Sequence, residues 1–144
     1  MKVYPDTSFL ASLYIPETDS HTAARIIKRG NAVFLVTLLA EIELANAFEQ
    51  RVFRKELRAA EARQAYATFL SDLRSGVFQQ SGILVGGVYR RAMQLSRKWT
   101  SLLGTRTLDL LHVAAALDLR ANALYTFDGR QAALAKAAGL ATLR

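Results

Sequence analysis

Residues 105–130 read TRTLDLLHVAAALDLRANALYTFDGR, and the periodicity of this stretch decides the fold. Behind an opening acid, Asp109, the apolar and small residues Leu110, Val113, Ala114 and Leu117 recur at helical spacing. The pattern breaks at residues 120–122 and resumes as an apolar run over 123–127, which reads as a short strand delivering a second acid, Asp128. A helix followed directly by such a strand is one repeat of an α/β chain. It places two carboxylates at the ends of elements that must pack together.

The same alternation runs through the rest of the chain. Residues 2–5 read as a strand closed by Pro5, which cannot donate to a ladder, and Asp6 caps the helix that follows. A second helix from about Asp19 carries Ala23, Ile26 and Ile27 on one face and stops at Gly30. Residues 32–36 are an apolar run suited to a strand covered on both faces, and Thr37 caps the next helix. A long helix is expected over 54–74. A third strand is expected at 82–85, then a helix over 86–101 with Val88, Ala92, Leu95, Trp99 and Leu102 facing the core. A helix over 129–138, a stop at Gly139 and a last strand near 140–142 close the chain. The expectation is a single α/β domain over residues 1–144, with a mainly parallel central sheet of four to five short strands flanked by helices.

Composition excludes several classes. With 144 residues, 51% of them hydrophobic and only 22% charged, the chain has the material for one core and not the signature of disorder. It has no cysteine, so no disulfide framework and no thiolate metal site is available. No apolar run approaches the roughly 18–20 residues of a membrane span, and no signal segment opens the chain, which points to the cytoplasm. Lys and Arg number 19 against 12 Asp and Glu, a net charge of +7 that suits either a polyanionic partner, nucleic acid ahead of membrane, or plain solubility. Arg51, Arg54, Lys55 and Arg58 recur at helical spacing and, with Arg90, Arg91, Arg97 and Lys98, are candidate phosphate contacts or a solvated face.

Four acids deserve separate weighing. In a parallel α/β sheet, ligands collect beyond the carboxyl ends of the strands. Asp6 and Asp128 stand at such ends, although each also reads as an ordinary helix cap. Glu43 projects from a helix face of small and apolar neighbours, where an unpaired carboxylate is costly, and spacing alone does not separate it from Glu41. Asp109 lies one turn from Arg106, a plain ion-pair partner. Crowded carboxylates repel and stay ionised comfortably only around a cation, and a hard divalent ion such as Mg²⁺ or Mn²⁺ matches oxygen donors. Such an ion with a basic surface points to phosphodiester hydrolysis. His112 is not needed as a base and reads as a structural histidine, and His21 reads as a surface residue.

The segments PDTSFL from Pro5, TLLAEIELANAF from Thr37, GTRTLDLLHVAAAL from Gly104 and LYTFDGRQAALAKAAGL from Leu124 resemble, in order and spacing, the motifs of PIN-domain nucleases. Among these the chain resembles the short VapC-type toxins of toxin–antitoxin pairs, over essentially its whole length. The resemblance implies that Asp6, Glu43, Asp109 and Asp128 are both catalytic and metal-binding, with Glu43 preferred over Glu41, and that Ser8, Thr107 and Thr126 are supporting hydroxyls. It further implies Mg²⁺- or Mn²⁺-dependent RNA cleavage, a homodimer, and a small VapB-type antitoxin as partner. Pro5 departs from the β-branched or apolar residue more usual there. The competing readings are a PIN nuclease outside any toxin–antitoxin system, a non-catalytic nucleic-acid-binding module, and a phosphoacceptor domain. The last would need an acidic pair after the first strand and a late lysine, and neither is present.

Overall fold

The computed structural model describes residues 1–143. Its centre is β1 (Lys2–Pro5), flanked on one side by β2 (Val33–Val36) and on the other by β4 (Ala123–Tyr125), with β3 (Gln79–Gln80) beyond β2. All pairings are parallel: Val3 lies opposite Phe34 and Ala123, and Leu35 opposite Gln79. Between the strands run α1 (Thr7–Tyr14), α2 (Ser20–Lys28), α3 (Leu38–Phe53), α4 (Ala59–Ser75), α5 (Val85–Leu95), α6 (Ser101–Leu103) and α7 (Thr107–Asp118), and α8 (Gly129–Ala137) follows the last. Helices on both faces of a parallel sheet are the arrangement expected from continuous apolar strands. No helix among the described residues is long and apolar enough to cross a membrane.

Alternation along β1 and β4 divides the interior in two. Val3 and Ala123 face a core built with Phe9, Phe34, Leu44, Phe48 and Phe69 from the α1–α4 side. Tyr4 and Leu124, the next residue on each strand, face a second core with Val88, Val113 and Leu134 from α5, α7 and α8. The caps fall where the sequence places them. Asp6 accepts from Phe9 N at 3.0 Å, Thr37 from Ala40 N at 3.2 Å, and Asp128 from Gln131 N at 3.2 Å. Each satisfies an otherwise orphaned first-turn amide.

Four expectations are corrected. The third strand is the polar pair Gln79–Gln80, and residues 82–84 are an irregular lead into α5, because edge pairing with β2 selects the strand rather than apolar content. The long helix does not begin at Arg54. The preceding helix runs on to Phe53, the chain turns through Lys55 at φ 60°, and α4 starts at Ala59. Leu102 is 73% exposed, because a π-helical turn over Ser96–Thr100 inserts an extra residue into the helical phase and hands the inward position to Leu103. Trp99 is half-buried against the second core and carries Lys98 Nζ 5.1 Å above its ring. The last strand is reduced to a single bridge, Ala123 to Ala141.

Candidate active site

The parallel sheet delivers the acids to one edge. Asp6 follows β1, Asp128 follows β4 and caps α8, Glu43 sits two turns into α3 behind β2, and Asp109 is in the first turn of α7. Asp6 is 6% exposed and its carboxylate is fully engaged. Ser8 Oγ donates to Oδ1 at 2.7 Å and Thr126 Oγ1 donates to Oδ2 at 2.6 Å. The two hydroxyls in turn accept from the next segment of chain, Ser8 from Phe127 N and Thr126 from Asp128 N, each at 2.9 Å. Asp6 and Asp128 are therefore held in fixed relation through Thr126. Burial raises the Asp6 carboxyl above its ordinary value, outweighing the hydrogen bonds from Thr126, Phe9 and Ser8 that favour the charged form.

Asp109 and Asp128 share a cation of the chain itself. Arg106 Nη2 lies 3.3 Å from Asp128 Oδ2 and its Nε lies 3.6 Å from Asp109 Oδ2. Asp109 Oδ2 also accepts from Arg106 N at 2.8 Å, so the acid closes the helix start behind its own ion-pair partner. Asp109 is buried at 6% exposure, and Arg106 is largely exposed.

On α3 the two glutamates point different ways. Glu41 accepts from Gln80 Nε2 on the edge strand, at 2.9 Å. Glu43 turns toward α7, where His112 Nε2 stands 2.5 Å from its Oε2. Burial works to raise Glu43, but the hydrogen bond and charge of His112, with the charge of Arg106, outweigh it and hold the carboxyl below its ordinary value. The Thr7 hydroxyl is near enough to favour the Glu43 carboxylate as well, yet its Oγ1 reaches no hydrogen-bonding geometry and stands buried without a partner.

Asp6 is thus tied to Asp128 through Thr126, and Asp128 to Asp109 through Arg106, while Glu43 stands apart against His112. Among the described residues no three acid or histidine side chains converge closely enough to share one ion. The donor chemistry nonetheless suits a hard divalent cation: carboxylate and hydroxyl oxygens, no sulfur, and at Thr7 an orphaned buried oxygen that a coordinated water would satisfy. Of the expected hydroxyls, Ser8 and Thr126 belong to this network. Thr107 does not, being exposed at the start of α7. The buried threonine of that segment is Thr105, tied to Thr100 at 2.7 Å. Sequence reasoning missed Tyr4, Thr7 and the role of Arg106 as a bridge.

The basic face expected along one helix is broken up by the turn between α3 and α4. Arg51 pairs with Glu17, Arg54 with Glu56 and Arg58 with Glu61, and Lys55 sits at the turn. Two other arginines, Arg25 of α2 and Arg29 at its C-terminal cap, line a polar cleft of about 480 Å³ whose far wall is Thr126 and Phe127. That cleft adjoins the Asp6 network through Thr126.

An α/β domain with a parallel sheet and acids gathered at its carboxyl edge is the setting in which the comparisons fall. The family model described as PIN domain matches residues 3–137, and the chain belongs to that family. The comparison with curated protein sequences gives no match. Among solved structures the chain is similar to VapC20 of Mycobacterium tuberculosis, described as a sarcin-ricin loop cleaving toxin, with a TM-score of 0.74 at 20% identity, covering 99% of this chain and 98% of that one. It is similar to VapBC2 of Rickettsia felis, solved bound to a DNA fragment from its promoter, with a TM-score of 0.68 at 15% identity over 99% and 98% of the two chains. It is also similar to FitAcB of Neisseria gonorrhoeae, with a TM-score of 0.61 at 14% identity over 99% and 96%. At these identities the likeness is one of fold.

Proposed function

We propose that this chain is a divalent-ion-dependent endoribonuclease acting as the toxin of a toxin–antitoxin pair. The observation that carries the reading is that Asp6, Asp109 and Asp128 are linked at one sheet edge through Thr126 and Arg106, with Glu43 on α3, which follows the neighbouring strand, held by His112 of the helix that carries Asp109. Four acids from four separate segments are not needed to cap three helices. Their shared cost is relieved by a cation.

Asp6, Glu43, Asp109 and Asp128 would hold the ion, Mg²⁺ or Mn²⁺. When bound, it supplies a lowered pKa for water and neutralises charge developing on a phosphate. The protein's own part is orientation. Ser8 and Thr126 aim both oxygens of Asp6, the backbone amides of Arg130 and Gln131 fix Asp128 Oδ1, and Arg106 N fixes Asp109 Oδ2. The RNA backbone would run over the basic surface. Arg25 and Arg29 lie in the cleft beside Thr126, and Arg51, Arg54, Lys55 and Arg58 lie farther round, three of them already paired to glutamates.

The test is cleavage of labelled RNA in Mg²⁺ or Mn²⁺ by the wild type and by Asp6→Asn, Glu43→Gln, Asp109→Asn and Asp128→Asn. Each substitution keeps side-chain volume and should cut the rate at least a hundredfold. A wild-type rate in any two of them would sink the mechanism. Toxin identity, and a small VapB-type antitoxin as partner, draw support from the neighbours solved as VapC20 and VapBC2. Purification together with the product of an adjacent small reading frame checks that part. A homodimer draws support from the exposed apolar residues Leu38, Val85 and Tyr89, which line a groove of about 340 Å³. A monomer mass by light scattering at micromolar concentration would overturn it.

A further inference from the structure

Beside the Asp6 network, a line of buried polar contacts runs from β1 to Glu43. Tyr4 has no exposed surface, and its hydroxyl lies 3.1 Å from Thr37 Oγ1 and 2.8 Å from His112 Nδ1. His112 is 2% exposed, and its Nε2 lies 2.5 Å from Glu43 Oε2. Thr37 Oγ1 already accepts from Ala40 N, which leaves its own proton for Tyr4. One direction then satisfies every member: Thr37 donates to Tyr4, Tyr4 donates to Nδ1, and Nε2–H donates to Glu43. If His112 carries a second proton on Nδ1 the line between Tyr4 and Thr37 reverses, but Nε2–H still donates to Glu43.

This contact has a structural consequence that core packing does not require. An apolar residue of similar volume would fill the His112 site, and Phe would fill that of Tyr4, without burying polar groups that need partners. A line of buried polar atoms, three of them from different elements of the fold and all satisfied, instead fixes one rotamer of a half-buried glutamate.

We propose that Tyr4 and His112 are positioning residues that hold the Glu43 carboxylate in the orientation in which it binds a divalent ion. The proposal rests on the ion-binding reading of the four acids and adds to it which groups aim the third acid. Partners of this kind, one step removed from a ligand, typically carry about 10–100-fold in metal affinity.

Calorimetric titration with Mn²⁺ alone, in the absence of RNA, compares wild type, Tyr4→Phe, His112→Leu, His112→Gln and Glu43→Gln. His112→Leu and Tyr4→Phe should weaken Mn²⁺ binding about 10–100-fold. His112→Gln, whose amide reaches the place of Nε2 with a donor, should restore most of it. The ¹⁵N spectrum of His112 should show its proton on Nε2 in the wild type and lose that preference in Tyr4→Phe. Tyr4→Phe keeps ring and core volume, so it carries the test if His112→Leu fails to fold. Wild-type Mn²⁺ affinity in His112→Leu or Tyr4→Phe, alongside weakened binding in Glu43→Gln, overturns the proposal and leaves the ion site standing. Unchanged binding in Glu43→Gln overturns the place of Glu43 in that site, and with it the proposal.

Discussion

Asp6 shows at the level of one residue how structure and proposed chemistry oppose each other. Its carboxylate is buried and raised, so the folded state holds its proton more tightly than the unfolded chain does. By linkage, its contribution to stability is fully present below the unfolded pKa and is lost as the pH rises through the folded value. Glu43, held below its ordinary value, contributes in the opposite sense, with stability present above the unfolded pKa and lost as the pH falls through the folded one. At neutral pH without metal, Asp6 is therefore a cost. Asp6→Asn keeps an equally good helix cap for Phe9 N and removes the buried charge. In EDTA it should melt higher than the wild type, roughly 2–4 °C for each kcal/mol gained in a chain of this size. In Mn²⁺ the order should reverse as the wild type alone gains. Thermal melts with and without Mn²⁺ decide it, and a lower melting point for Asp6→Asn in EDTA would show that the hydrogen bonds from Ser8 and Thr126 outweigh the burial cost.

Elements were legible where one strong local signal sets them. The apolar runs leading into Thr37 and Thr126, the caps at Asp6, Thr37 and Asp128, and the stop at Gly30 each rest on residues within a turn of one another, and the structure shows them. The elements misread are those chosen by distant partners. Gln79–Gln80 becomes a strand only because Leu35 and Val36 lie beside it. The turn between α3 and α4 carries neither Gly nor Pro, and Lys55 accepts a left-handed backbone there. The Tyr4–His112 contact spans 108 residues, so no window of sequence contains it. At the π-helical turn the phase shift makes a direct prediction. Leu102→Glu should leave the melting point within about 1 °C, as an exposed substitution does, and Leu103→Ala should cost roughly 1–2 kcal/mol, less than the loss at a fully buried leucine. Equal costs at the two positions would mean that the turn does not persist in solution.

For the molecule as a whole, the parallel sheet is what brings the segments carrying these acids toward one edge. β1 stands between β2 and β4, so the segments after all three strands open on one edge, and α7 brings Asp109 to it from the second core. Three of the four acids could be suspected from caps and spacing. Spacing alone leaves Glu43 and Glu41 open and only the family resemblance prefers Glu43; the fold turns Glu41 to the edge strand and Glu43 to His112. A net charge of +7 favours association with a polyanion, and RNA cleavage should accordingly slow as salt is raised.

The central claim is that Asp6, Glu43, Asp109 and Asp128 hold a divalent ion. A crystal soaked in Mn²⁺ and measured at the manganese absorption edge tests it most directly. The account predicts an anomalous peak at the carboxyl edge of the sheet, with carboxylate oxygens of at least two of these acids about 2.0–2.3 Å away and the remainder bonded through water. Arg106 should have withdrawn from Asp109 and Asp128. A saturating soak that shows no peak there, or shows manganese only elsewhere on the surface, would contradict the account.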